Sequence, residues 1–132
     1  MEPGSTLSEA ALLASRFINQ TNRHIFLTGK AGTGKTTFLR HIIQNTHKKA
    51  VIAAPTGIAA INAGGVTLHS LFQLPFGSFI PKHQSELAHV DNGLFNNITT
   101  IASNTKIHAS KRQLLREIEL LIIDEVSMLR AD

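Results

Sequence analysis

Eight residues at positions 29–36, Gly-Lys-Ala-Gly-Thr-Gly-Lys-Thr, constrain this chain more than any other stretch. They fit the pattern G-x-x-x-x-G-K-[ST] of a loop that wraps around phosphate groups. Glycines let backbone N–H groups approach phosphate oxygens without a Cβ in the way, and a helix that follows adds unpaired N–H groups at its positive end. The motif therefore predicts a nucleotide-binding site.

The residues on either side of this loop supply the strand and the helix that such a motif requires. Residues 24–28 are mostly apolar and predict a short buried strand, and residues 37–46 predict a helix with one apolar face. In this arrangement Lys35 would reach the β- and γ-phosphates, and the Thr36 hydroxyl would hold Mg²⁺. The predicted nucleotide-binding residues are Gly29, Ala31, Gly32, Thr33, Gly34, Lys35, Thr36 and Thr37.

The rest of the chain alternates between capped helices and apolar strands. A Thr-x-x-Glu capping box at residues 6–9 predicts a leading helix that ends near Asn19. Its predicted buried face is Ala10, Leu13, Ala14, Phe17 and Ile18. Further strands are expected at 50–54 and 120–123, and further helices at 57–63, 68–73 and 110–117, with a last helix capped by Ser127.

Residues 75–109 interrupt this alternation. Prolines, glycines and scattered polar residues break every periodicity there, apart from one turn of helix predicted within residues 87–95. The segment is too long for an ordinary connection between two elements. We therefore interpret it as an irregular excursion, either functional or partly disordered.

The order of the predicted elements indicates an α/β fold with a parallel sheet and right-handed crossovers. Strands that are apolar throughout favour a sheet that is covered on both faces. With 132 residues, the chain has room for one domain. Because ligands of such sheets bind at the carboxyl ends of the strands, we expect the phosphate loop and the acidic pair Asp124-Glu125 to meet at one site.

The acidic pair follows four aliphatic residues, which matches the second motif of nucleotide hydrolases. Asp124 would hold Mg²⁺ opposite Thr36, and Glu125 would act as the base that polarises the attacking water. Taken alone, the pair also fits a turn residue followed by a solvated charge. GTPases carry D-x-x-G at this place, whereas this chain reads Asp124-Glu125-Val126-Ser127, so the pattern favours an ATP hydrolase.

Four motifs in order resemble those of superfamily-one helicases, and together they resemble the PIF family of 5′-to-3′ DNA helicases, which is related to RecD. Two of these motifs are the phosphate loop and the stretch Ile-Ile-Asp-Glu-Val-Ser-Met at 122–128. The other two are Ala-Pro-Thr-Gly-Ile-Ala-Ala at 54–60 and Gly-Val-Thr-Leu-His-Ser at 65–70. The resemblance covers residues 25–130, which is most of the chain.

This resemblance implies a three-layer, RecA-like P-loop NTPase fold that is truncated. Residues 1–132 would be the N-terminal part of the first motor domain, with residues 1–23 as a leading helix and linker. It also implies ATP and Mg²⁺ as cofactors, single-stranded DNA as a partner of the parent protein, and roles in DNA repair, recombination and telomere maintenance. A second motor domain with an arginine finger would be missing, which makes the isolated fragment a poor catalyst. The DNA-binding residues implied are Thr56, Gly57, Thr67, His69 and Ser70.

Composition bears on where the protein is located but does not identify its function. The chain has no cysteine, no apolar run as long as a membrane span, and a net charge of +4, which is compatible with nucleic-acid phosphates. We expect a cytoplasmic protein with no membrane partner, associated with the nucleoid if it is bacterial. Two alternatives to a helicase are a non-motor P-loop ATPase of the loader or transposition type, and a nucleotide- or DNA-binding module without turnover.

Overall fold

The computed structural model describes residues 7–74 and 107–129, together with the backbone of two short strands between these ranges. The helices are α1 (Glu9–Gln20), α2 (Lys35–Asn45), α3 (Gly57–Ala63), α4 (Leu68–Phe72) and α5 (Ala109–Glu117). The strands are β1 (Ala50–Ala54), β2 (Val66–Thr67), β3 (Ser78–Phe79), β4 (Phe95–Asn96) and β5 (Leu120–Ile123). A 3₁₀ turn, Val126–Met128, follows β5.

A parallel sheet with β1 at its centre organises the domain. β1 pairs with β2 on one side and with β5 on the other, and both pairings are parallel. Ile52 lies opposite Ile122, and Ala54 lies opposite Thr67. The carboxyl ends of the three strands therefore meet at one edge of the sheet, where the loops that follow them are brought together.

Two larger apolar clusters on opposite faces of the sheet form most of the core, and a third, small cluster contains Ala54, Ala59 and Ala60. Successive strand residues point to opposite faces, so Ile52 and Ala53 belong to different clusters. The first cluster contains Phe38, Ile42, Ile52, Ala63 and Ile122, with α1 packed against it. The second contains Ala53, Leu68 and Leu71, with Leu115 of α5 and Ile118, which follows α5, packed against it. Helices thus cover both faces, which confirms the predicted three-layer α/β arrangement.

Local sequence signals correctly predicted the elements around the central strand. β1, α3 and β5 have their predicted bounds. The Thr56 hydroxyl accepts a hydrogen bond from the Ala59 N–H and begins α3, and Gly64, with φ of 74°, ends it. Gly65 then passes so close to the Ile52 carbonyl that a Cβ at this position would clash with it. β2, which follows at once, was not predicted because it has only two residues.

The buried strand predicted over residues 24–28 is wrong. These residues form no strand, and the side chains of Ile25 and Phe26 are 41% and 78% exposed. A β-strand exists only where its N–H and C=O groups pair with a neighbour, and the sheet of the described residues holds only β2, β1 and β5. An apolar run without a partner strand forms no strand and stays exposed.

The leading helix is present, but its predicted cap is wrong, and of its predicted buried face only Ala14 and Ile18 pack on the core. Ser8 rather than Thr6 is the N-cap, and its hydroxyl accepts from the Ala11 N–H at 3.2 Å. The residues packed on the core are Ala11, Ala14 and Ile18, with Leu7 just before the helix. Ala10, Leu13 and Phe17 are exposed. Two overlapping sets of apolar residues share the helical spacing here, so periodicity alone could not choose between them.

Smaller differences affect the other helices and β5. α2 begins at Lys35 rather than at 37, and α5 begins after His108 rather than at a Ser110 cap. β5 was expected to be buried throughout, yet Leu121 is 38% exposed. The helix expected after Ser127 is a 3₁₀ turn that begins after Glu125.

The excursion predicted at 75–109 and the helical turn predicted within 87–95 lie almost wholly outside the described residues. Within this range the structure describes the backbone of β3 and β4, which pair in parallel. No helix of the described residues is long and apolar enough to cross a membrane.

Candidate functional site

The glycine loop uses left-handed backbone at two of its positions. Gly32 and Gly34 have φ angles of 79° and 81°, which residues with a Cβ adopt only at a cost. Gly34 is also the N-cap of α2, and its carbonyl accepts from the Phe38 N–H at 2.9 Å. Because Phe38 is buried in the core, the loop is anchored to the domain at its C-terminal end.

The Lys35 ammonium group closes this loop. It donates hydrogen bonds to the carbonyl oxygens of Gly29 at 2.6 Å and of Lys30 at 2.8 Å. The Thr33 hydroxyl donates to the same Lys30 carbonyl at 2.7 Å. The positive charge therefore lies inside the loop, among the backbone groups that the motif assigns to phosphates.

The loop and the acidic pair converge at one point. The Thr36 hydroxyl donates to a carboxylate oxygen of Asp124, Oδ2, with the two oxygens 3.4 Å apart. Both residues are half-buried. The structure thus brings together two motifs that are 88 residues apart in the sequence, as predicted, although no strand precedes the loop.

The backbone around Asp124 fixes its carboxylate. Its N–H donates to the Ala53 carbonyl of β1 at 3.0 Å, and its other carboxylate oxygen, Oδ1, accepts from the Glu125 N–H at 2.9 Å. Glu125 has a φ of 54°, so it holds a left-handed conformation that is strained for a residue with a Cβ. Backbone strain of this kind is concentrated at functional sites. Glu125 is exposed and lies directly beside the Thr36–Asp124 pair.

The pair of oxygens at Thr36 and Asp124 fits a magnesium ion. Mg²⁺ binds hard oxygen ligands and is held in nucleotide sites by one or two protein oxygens, with water and phosphate completing its shell. A hydroxyl and a carboxylate 3.4 Å apart supply two such oxygens. Among the described residues, no group of three or more His, Asp or Glu side chains forms a separate metal site.

Polar side chains that follow α2 hold the end of α1 and the start of the linker that leads to the loop. The Thr46 hydroxyl donates to the Asn19 side-chain oxygen at 2.7 Å, and the Lys48 ammonium donates to the Thr21 carbonyl at 2.7 Å. Thr21 in turn donates from its hydroxyl to the Phe17 carbonyl at 2.6 Å. The linker from α1 to the phosphate loop is therefore held at its start by residues that follow α2.

A cleft of about 480 Å³ opens beside this site, at the carboxyl ends of β1 and β2. It contains four of the five residues predicted to bind DNA, and its lining residues are Pro55, Gly57, Thr67, His69, Ser70 and Leu74. The fifth predicted residue, Thr56, lies next to the cleft and caps α3. The structure thus places the predicted DNA-binding residues together, separate from the phosphate loop.

Threonine hydroxyls shape this cleft by capping short helices. The Thr67 hydroxyl accepts from the Ser70 N–H at 3.1 Å, so the backbone of α4 is held by the residue that ends β2. The cap uses the backbone of Ser70 and leaves its side chain at the surface, where it is exposed. Each capping hydroxyl still carries a proton that it can donate outward.

Sequence reasoning missed three residues near the cleft. Pro55 and Leu74 give the cleft its apolar walls, and Gln73 ends α4 with a φ of 52°. Pro55 stood inside a recognised motif and could have been included. Gln73 offered no signal, because left-handed helix ends usually carry glycine or asparagine.

Comparison with known proteins agrees with this architecture. A family model described as PIF1-like helicase matches residues 9–132. The chain is 36% identical over 112 residues to the ATP-dependent DNA helicase Pif1 of Campylobacter jejuni, which takes in 83% of this chain and 22% of that protein. It is 32% identical over 132 residues to the ATP-dependent DNA helicase PIF1 of Rattus norvegicus, which takes in 99% of this chain and 17% of that protein.

Solved structures give the same result. The crystal structure of a Bacteroides Pif1 helicase in complex with ADP-AlF3 and ssDNA is 45% identical, with a TM-score of 0.74. The match covers 98% of this chain and 26% of that one. Another structure, Bacteroides Pif1 in complex with ADP-AlF4, gives a TM-score of 0.75 at 45% identity, again covering 26% of its chain. The chain thus spans a minor part of the length of each protein it matches.

Proposed function

The chain belongs to the PIF1-like helicase family, and from this premise we propose that it is the nucleotide-binding part of an ATP-dependent DNA helicase. In the full-length protein, ATP hydrolysis at this site would drive movement along single-stranded DNA and separation of the strands. The relatives named above are ATP-dependent DNA helicases, and two of the solved neighbours carry ADP with a metal fluoride. Because a DNA helicase must reach its DNA, the proposal includes a cytoplasmic location, which in a bacterium is at the nucleoid.

The contact between Thr36 and Asp124 carries this proposal. A phosphate loop alone is compatible with many nucleotide-binding proteins, and an acidic pair after a strand is weaker still. The Thr36 hydroxyl lies 3.4 Å from the Asp124 carboxylate, and the Lys35 ammonium is bound to a carbonyl of the same loop. We assign Lys35 to the β- and γ-phosphates, and Thr36 and Asp124 to Mg²⁺.

The backbone of the loop completes the proposed nucleotide site. Its N–H groups would surround the phosphates, and the positive end of the eleven-residue α2 faces the same region. Mg²⁺ would neutralise charge on the phosphate oxygens when bound. The residues assigned to the nucleotide are Gly29, Ala31, Gly32, Thr33, Gly34, Lys35, Thr36 and Thr37.

Glu125 is assigned as the base that polarises water. It follows Asp124 directly, its backbone is strained, and its side chain is exposed, so the carboxylate can reach a water beside the phosphates. An arginine from the second motor domain of the full-length protein would stabilise the transition state. In related NTPases such an arginine increases the rate by about 10³- to 10⁵-fold.

The neighbouring cleft is assigned to single-stranded DNA. Ser70 and Thr67 would donate hydrogen bonds to phosphate oxygens, His69 would lie on the same path, and Thr56 and Gly57 would bring the start of α3 close to the backbone. Gly57 has no atom within 4 Å of the position of a Cβ and an ordinary φ, so the fold itself does not require glycine there. Close approach of a DNA strand would require it.

Helicase assays of the full-length protein test the proposal. We expect DNA-stimulated ATP hydrolysis and strand separation in the native protein. Lys35→Ala is expected to lower hydrolysis by more than about a hundredfold, as loss of one charge-stabilising group does elsewhere. Lys30→Ala is the matched control, because Lys30 contributes its carbonyl to the loop and its side chain is assigned no role.

The two alternatives give different results in the same assays. A non-motor ATPase would hydrolyse ATP without separating strands, and a binding module would bind nucleotide or DNA without turnover. Either result from the native full-length protein would overturn the helicase proposal. Equal loss of activity in Lys30→Ala and Lys35→Ala would overturn the assignment of Lys35.

A further inference from the structure

Gln73 ends α4 in an unusual way. It has φ of 52° and ψ of 44°, and only Gln73 and Glu125 among the described non-glycine residues have a positive φ. Its N–H and that of Leu74 both donate to the His69 carbonyl. The backbone at Gln73 thus turns the chain sharply, so that Leu74 and His69 both line the cleft.

The side chain of Gln73 makes a second connection. Its amide oxygen accepts a hydrogen bond from the backbone N–H of His108, 35 residues further along, at 3.3 Å. His108 is the N-cap of α5, and its own side chain makes no capping bond. Gln73 therefore ties the end of α4 to the start of α5.

The two helices joined in this way already share an apolar contact. Leu71 of α4 is 1% exposed, and Leu115 of α5 packs against the cluster that contains it. An apolar contact is not directional, so it allows α4 to rotate or slide by small amounts. A hydrogen bond between Gln73 and His108 is directional and selects one orientation.

This orientation matters because α4 carries cleft residues. His69 and Ser70 belong to α4, and Leu74 follows it directly. No residue of the phosphate loop lines the cleft; Thr36 lies in the first turn of α2, and Asp124 follows β5. A change at Gln73 would therefore alter the cleft and leave the nucleotide site in place.

We propose that Gln73 is a positioning residue for the DNA cleft, an inference that rests on the function proposed above. Its left-handed backbone places Leu74 in the cleft wall, and its amide oxygen fixes α4 against α5 so that His69 and Ser70 keep their places. Gln73 does not line the cleft and is assigned no contact with DNA.

Two substitutions remove the hydrogen-bond acceptor of Gln73 in different ways. Gln73→Gly keeps the left-handed backbone and removes the acceptor, whereas Gln73→Met keeps the length of the side chain and removes the acceptor. Gln44→Met, on the exposed side of α2, is the matched control. All variants are made in the full-length protein.

The measurements are the affinity for a fluorescent oligo-dT strand, the affinity for ATP without DNA, and hydrogen exchange at the His108 amide. We expect both Gln73 variants to bind the strand about threefold to tenfold more weakly, the size of effect expected from one neutral hydrogen bond. ATP affinity should stay at the native value, and the His108 amide should exchange faster. A purely structural role would instead weaken both ligands together.

The following results would overturn the inference. Both Gln73 variants could bind oligo-dT as tightly as the native protein while the His108 amide exchanges faster. This result would show that the Gln73–His108 hydrogen bond exists but does not position the cleft residues. An equal loss in Gln44→Met, or a parallel loss of ATP affinity, would remove the specific link to the cleft. If the native protein binds oligo-dT, and Ser70→Ala weakens this binding while the Gln73 variants do not, only this inference fails and the proposed function stands. If the native protein binds no strand, the proposed function fails and the inference fails with it.

Discussion

The Thr36 hydroxyl and the Asp124 carboxylate lie 3.4 Å apart, although 88 residues separate them in the sequence. Thr36 is held by the start of α2, and Asp124 is held by the end of β5 and by the Ala53 carbonyl of β1. The contact therefore depends on the packing of α2 on the sheet. It explains how one nucleotide site is built from two distant motifs.

Glu125→Gln should separate binding of ATP from its hydrolysis. The substitution keeps the shape of the side chain and removes its basicity. In the full-length protein we expect ATP affinity to be retained and hydrolysis to fall by about 10²- to 10⁴-fold. Glu9→Gln, at an exposed glutamate in the first turn of α1, is the control. Hydrolysis that is insensitive to Glu125→Gln would show that another group activates the water.

Ser70→Ala should weaken binding of single-stranded DNA. The alanine removes the hydroxyl and leaves the Ser70 N–H to the Thr67 cap, so α4 stays in place. Loss of one neutral hydrogen bond predicts about a fivefold weaker affinity. Because no charge is removed, the dependence of affinity on salt should not change. Anisotropy titrations at several salt concentrations measure both quantities, and native affinity would rule out a contact from this hydroxyl.

Two glycine substitutions should have opposite effects on stability. A Cβ at Gly65 would clash with the Ile52 backbone carbonyl, so Gly65→Ala should destabilise the fold by about 1–3 kcal/mol. Gly57→Ala, in the first turn of α3 and with open space around it, should be neutral or stabilising by up to about 1 kcal/mol. Urea denaturation measures both changes. Equal effects of the two variants would contradict the described path of the chain after α3.

The ion pair between Glu117 and Lys49 should give a small dependence of stability on pH. The Gln113 side chain, first, and then the Lys49 charge lower the pKa of Glu117 from its ordinary value of 4.5. A carboxyl whose pKa is lower in the folded protein stabilises the fold above its ordinary pKa, and this effect is lost as the pH falls through the folded value.

Thermal denaturation of native protein and Glu117→Gln across pH tests this expectation. The native protein should be slightly more stable at neutral pH, and the difference should shrink as the pH falls below about 4.5 and vanish once Glu117 is protonated in the folded protein. Because both side chains are exposed, the difference should be small. A difference that grows as the pH falls would contradict the assigned direction of the pKa shift.

Which parts of this fold could be predicted depended on how local their causes are. β1 and α3 were predicted with their bounds, because an apolar run ended by Pro55 and a helix between Thr56 and Gly64 carry their own signals. The strand at 24–28 was predicted wrongly because strand formation depends on a neighbour. Periodicity likewise could not fix which side of α1 is buried.

The candidate site likewise has features that could be predicted from sequence and features that could not. The meeting of the loop with Asp124 was predicted from sequence, but only half of the reason is right. Asp124 follows β5 at the carboxyl edge of the sheet, whereas no strand precedes the loop, which is held by α2. The strained backbone of Glu125 and the bond from Gln73 to His108 had no sequence signal. Both result from contacts that only the folded chain creates.

The central claim is that Thr36 and Asp124 hold the same magnesium ion, and a double-mutant cycle tests it most directly. Titration calorimetry with ATP, in Mg²⁺ and in EDTA, would compare Thr36→Val, Asp124→Asn and the double variant in the full-length protein. We predict that each single change weakens Mg·ATP binding by about tenfold or more, that affinity in EDTA changes little, and that the double variant loses no more than the worse single one. Losses that add in full, or that are equally large in EDTA, would contradict the account.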